Sequence, residues 1–178
     1  MIKIYSCILY YFILENLLNL WYNNNINNKG VFAIKISTKG RYALRMMIDL
    51  AIHQEEGYIS LKDVAERQKI SKKYLEQIVP LMNQSGLLRT NRGNRGGYML
   101  AVKPEQCTVG DILRATEGSL APVSCLDYEP NECPRVDECS TIYVWKELYK
   151  RVTDYLDSVT IKEIADKSIM SGGGDYCI

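Results

Sequence analysis

The sequence predicts a mainly α-helical fold: three helices and a small β-hairpin in the middle of the chain, then a cysteine-rich segment and one longer helix. Three observations carry this. Apolar residues recur at spacings of three and four from Ser37 to Gly86. A Gly- and Arg-rich tip, "RTNRGNRGGY", separates two short strand-like arms. Charge is also divided along the chain. The net charge is only +1, yet residues 35–103 hold 13 Lys and Arg against 6 Asp and Glu, while 104–178 hold 7 against 14. A basic block beside an acidic one points to a nucleic-acid-binding part joined to a part with another task.

The chain has 178 residues, 47% hydrophobic and 24% charged, enough for one soluble domain or a small domain with an appended helix. Residues 1–33 read as a leader or non-native extension, disordered or translated only in the gene model. Their apolar run, Ile4 to Leu14, is shorter than the ~20 residues of a membrane span. No small-x-small cleavage site follows it, and Asn23 to Asn28 is low in complexity.

The domain is expected to begin at "IKISTKGRY", with Ser37 or Thr38 capping a helix whose apolar face is Leu44, Met47, Ile48 and Ala51. Ser60 and Asp63 make a capping-box-like pair for a short second helix. Ser71 opens a third, in which Leu75, Ile78, Val79 and Met82 form an apolar stripe while Lys73, Glu76 and Gln77 point away. Pro80 should bend this helix without ending it, and Gly86 should stop it. Arms at Leu87–Thr90 and Tyr98–Ala101 flank a tip holding Arg92 and Arg95, with glycines that permit close backbone approach. Helix, helix-turn-helix and basic hairpin in sequence have the form of a winged helix-turn-helix, a DNA-binding unit over residues 34–103.

The acidic block, 104–168, opens with a helix from Thr108, paired with Asp111. A longer helix follows Ser140, with Trp145, Leu148, Val152, Leu156 and Val159 on one face. With no other large core to join, it suggests pairing with a second copy, and a last helix starts at Thr160. The tail, 169–178, reads as flexible.

"SCLDYEPNECPRVDECS" places Cys125, Cys133 and Cys139 among five carboxylates and two prolines, while Cys7, Cys107 and Cys177 are scattered. This is not the pattern of a secreted disulfide framework, so a reducing, cytoplasmic setting is expected. Structural zinc, an exchangeable disulfide and an iron-sulfur cluster are the alternatives; the wide C-x7-C-x5-C spacing suits a larger cluster better than zinc. No nucleophile with a neighbouring base and no phosphate-binding loop is visible, which argues against an enzyme.

"ISTKGRYAL", "YLEQ", "RGNRGGY", "VGDILRATEG", the three cysteines and "VWKELYKRVTDYLDSVT" occur in an order that resembles the Rrf-two family of bacterial winged-helix regulators, of the IscR-like kind, with NsrR and CymR as relatives. The resemblance implies a homodimeric transcription factor bound to a double-stranded DNA operator, with the Ser71 helix in the major groove and the wing on the minor groove. Ser71, Lys73, Tyr74, Gln77 and Arg92 correspond to DNA contacts, and Glu76 to a residue that affects site choice; Arg95 joins them by position alone. The resemblance also implies a cluster on Cys125, Cys133 and Cys139, 2Fe-2S ahead of 4Fe-4S, and control of iron-sulfur assembly, cysteine or stress genes, with iron-sulfur assembly proteins as partners and no membrane. The chain departs from the family at the fourth ligand. IscR-like members have a His where this chain has Ile142, and NsrR-like members use an acidic residue of the partner's first helix where it has Arg41. The remaining candidates are Asp127, Glu129, Glu132, Asp137, Glu138, Cys107 or an exogenous thiol. The rival readings are a cluster-free CymR-like regulator of cysteine metabolism and a zinc-loop interaction module.

Overall fold

The computed structural model describes residues 35–93 and 96–171, so the leader, Arg95 and the last seven residues lie outside it. All the described residues fall in one compact unit, Ile34–Ile178. Among the described residues, six α-helices, α1 (Thr38–Ile52), α2 (Leu61–Gln68), α3 (Lys72–Gln84), α4 (Val109–Glu117), α5 (Ile142–Ser158) and α6 (Ile161–Met170), accompany one antiparallel hairpin, β1 (Leu88–Asn91) and β2 (Gly97–Leu100).

Side-chain caps decide where most helices begin. The hydroxyls of Ser37, Ser60, Ser71, Thr108 and Thr160 each accept an N–H from the first turn of the helix that follows, and each such cap stabilises by about 1 kcal/mol. At α4 the arrangement is reciprocal, because the Asp111 carboxylate also accepts the Thr108 N–H at 3.0 Å. Between α2 and α3, Lys69 takes a left-handed conformation, φ 52°, and turns the chain into the second helix.

The core is built chiefly by α1 and α3. On α3 the stripe Leu75, Ile78, Val79 and Met82 is buried, as its spacing predicts. Pro80 sits on the exposed side, and α3 continues through it to Gln84. On α1 the buried face is Ala43, Met46, Met47, Leu50 and Ala51, whereas Leu44 and Ile48 are only half-buried. The expected face was turned by about one residue, because α1 is apolar over most of its circumference and periodicity alone does not choose. Ile112 of α4, Ile161 and Ala165 of α6, and Cys107 enter the same core. Residues on both sides of 103 therefore share one apolar interior, with α6 and α4 packed on α1.

β1 and β2 pair from Leu88 opposite Leu100 to Asn91 opposite Gly97. The outer edge of β2 is used as well: the Ile59 N–H donates to the Tyr98 carbonyl at 3.0 Å and the Tyr98 N–H returns to Ile59 at 2.8 Å. α5 stands apart from this economy of burial. It packs on α4, yet none of its 17 residues is buried.

Candidate nucleic-acid interface

Ser71, Lys73, Glu76 and Gln77 are exposed on α3, on the side away from its apolar stripe. Ser71 is also the cap, its Oγ taking the Tyr74 N–H at 3.2 Å. Glu76 stands 3.5 Å from Lys72 one turn earlier. Tyr74 differs from the others. Its ring meets Tyr42 of α1 edge-on, with centroids 5.2 Å apart, so only part of it faces solvent.

Arg92 is exposed at the hairpin tip. Between the start of α2, α3 and the hairpin runs an open groove lined by Lys62, Lys72, Asn83, Thr90 and Arg92 among others. This is a polar, mainly basic surface in front of an exposed helix, the shape in which a helix-turn-helix meets a duplex. The tip glycines have intramolecular reasons of their own. A Cβ on Gly96 would stand 2.5 Å from the Asn91 carbonyl, and one on Gly97 would stand 2.6 Å from that of Ile59.

Behind the two helices lies an anchor that the sequence did not reveal. Asp49, 1% exposed in the last turn of α1, receives Arg67 at 3.0 and 2.6 Å and the Gln68 amide at 3.0 Å. Arg45 holds Gln68 in turn at 3.2 Å. The Asp49 carboxylate raises the pKa of Arg67 further above its ordinary value, chiefly by hydrogen bonding. A carboxylate inside an apolar helix pattern was the available signal, because burying it demands a cation on a neighbouring element. His53 is bonded to the Asp49 carbonyl, 2.8 Å from Nδ1. A second link ties α1 to the end of α4: Ser37 Oγ donates to Glu117 at 2.7 Å while it caps Gly40.

The thiol segment joins α4 to α5. Cys125, Cys133 and Cys139 are free and half-buried. The Asn131 amide bridges the first two, donating to the Cys125 carbonyl and accepting the Cys133 N–H at 2.9 Å. The Thr141 hydroxyl, 3.6 Å from Sγ, and nearby backbone N–H groups hold Cys139 below the ordinary thiol range, with help from Arg135. Three soft, unpaired donors on one loop match iron-sulfur chemistry in kind. Among the described residues, however, no three His, Cys, Asp or Glu side chains stand together as a metal-holding group. Cys107, weighed as a fourth ligand, lies fully buried in the core with its thiol pushed up to about 11, first by burial and then by Asp111. Ile142 begins α5, and Arg41 donates to Thr38 at 3.1 Å.

The family model for Rrf2, an iron-dependent transcriptional regulator, matches residues 36–167. The chain belongs to the Rrf2 family. It is 40% identical over 131 residues to protein rrf2 of Nitratidesulfovibrio vulgaris, covering 74% of this chain and 87% of that one. It is 36% identical over 133 residues to the transcriptional regulator IscR of Pectobacterium atrosepticum, covering 75% and 80%. The solved structure of CymR, the global cysteine regulator of Bacillus subtilis, superposes with a TM-score of 0.61 at 38% identity, over 75% of this chain and 97% of that one. As an Rrf2-family chain of IscR and CymR type, it is a DNA-binding transcriptional regulator with the winged-helix fold. No helix among the described residues is long and apolar enough to cross a membrane.

Proposed function

We propose that the chain is a homodimeric, cytoplasmic repressor-type regulator that reports iron-sulfur or redox status to an operator through Cys125, Cys133 and Cys139. The observation that carries the reading is three free thiols on the segment between the DNA-reading unit and an uncovered helix. An iron-sulfur cluster bound there, 2Fe-2S ahead of 4Fe-4S, would supply a labile, oxidisable group. The chain's own part is to bring the three thiolates together, since loss of the group frees the loop that leads into α5. Lys73, Tyr74 and Gln77 read the major groove from α3, with Ser71 at its cap and Glu76 biasing the choice of site. Arg92, and Arg95 by position, meet phosphates at the wing. The apolar stripe Trp145, Leu148, Val152 and Leu156 pairs with a second copy, which sets two reading helices one DNA turn apart. The genes controlled are those of iron-sulfur assembly, cysteine supply or stress, and assembly proteins supply the cluster.

Anaerobic purification tests this. A visible iron-sulfur absorption band, lost in the triple Cys→Ala variant, is expected. Colourless protein that still binds DNA would move the assignment to a cluster-free regulator like CymR; zinc in its place would move it to a zinc-loop module.

A further inference from the structure

The hairpin is fastened to the helix-turn-helix at both of its strands. On the outer edge of β2, Tyr98 exchanges two backbone hydrogen bonds with Ile59, the residue just before the Ser60 cap of α2. That contact depends on the absence of a side chain at position 97, where a Cβ would lie 2.6 to 2.9 Å from three backbone atoms of Ile59. No real Cβ tolerates such distances, and these atoms are main chain, so they cannot swing aside. On the other strand, Thr90 Oγ1 donates to Asn83 Oδ1 at 3.1 Å, joining β1 to the last turns of α3. Gly97 is paired across the hairpin with Asn91, the neighbour of Arg92.

We infer that Gly97 and Thr90 are positioning residues for DNA binding: they fix the wing against α2 and α3 so that Arg92 meets the duplex in register with the α3 side chains. Gly97 acts through Ile59 and Thr90 through Asn83. The inference rests on the wing reading of Arg92 given above. Replacing Gly97 by Ala drives β2 away from Ile59 and tilts the tip at the pair Asn91–Gly97, one residue from Arg92. The guanidinium then loses its phosphate while the hairpin ladder and α3 stay intact.

The test is fluorescence anisotropy of the full chain on a duplex selected by the wild-type protein from a random library, titrated with salt. Each lost phosphate contact flattens the slope of log K against log salt by about 0.9. Gly97→Ala and Arg92→Ala are expected to flatten it equally, and the double variant to flatten it no further. Thr90→Val, nearly isosteric and unable to donate, is expected to act in the same direction and carries the test if Gly97→Ala does not fold. A loss of affinity with the wild-type slope would mean general destabilisation and would overturn the inference, as would slopes that add in the double variant. If Arg92→Ala itself leaves the slope unchanged, the wing reading fails first and this one with it.

Discussion

Cys139 and Asp49 show how much a single side chain owes to its neighbours. The thiol of Cys139 is acidified by Thr141, so Thr141→Val is expected to slow its alkylation by iodoacetamide near neutral pH by severalfold. Mass spectrometry of the modified peptide after timed quenching measures this; an unchanged rate would assign the acidity elsewhere. Asp49→Ala should cost about 2–3 kcal/mol in urea unfolding, since it strands Arg67 and Gln68, and the partial exposure of Arg67 keeps the cost below that of a fully buried pair. The partnership of Asp49 was not legible in the sequence. Asp49 stands 18 residues from Arg67 along the chain, and only the packing of α1 on α2 makes them neighbours. The caps were legible, because Ser71 or Thr108 acts on residues three positions away, where sequence spacing and spatial spacing coincide.

The elements differ in how far they stand alone. α4 is set by its capping box: burial works against ionisation of Asp111, but the Thr108 backbone and hydroxyl and Arg114 outweigh it and hold its carboxyl below the usual range. A depressed native pKa stabilises above the unfolded value and ceases to do so as acid protonates the group. Asp111→Asn is therefore expected to cost about 0.5–1 kcal/mol at pH 7, discounted for partial exposure, and the difference from wild type to shrink as pH falls below about 4. Thermal unfolding across that range checks it. α5 is the opposite case. Glu147–Arg151 and Lys150–Asp154 pairs run along its surface, yet exposed pairs of this kind add little, and packing on α4 leaves none of its 17 residues buried. If a second copy covers the stripe, Leu148→Asp converts the dimer to monomer in analytical ultracentrifugation and weakens operator binding with it. Its periodicity predicted a helix, and the structure begins it at Ile142, two residues after the expected start at Ser140, with the preceding residues drawn into the turns around Cys139.

At the scale of the whole molecule, the winged helix-turn-helix was readable because its parts are local: three capped helices, a tight turn and a hairpin within 64 residues, Thr38–Ala101. The way the parts close on one another was not. α6 completes the interior begun by α1, with Ile161 fully buried and its N–H given to the Cys107 carbonyl at 2.8 Å. Contacts of such sequence separation leave no periodic trace. They do impose an order of events on the ribosome. The thiol segment emerges before α6 is made, so the three cysteines meet the surroundings of the nascent chain while α1 still has an open flank, and the interior of the helix-turn-helix unit is closed only after the whole thiol segment has been synthesised.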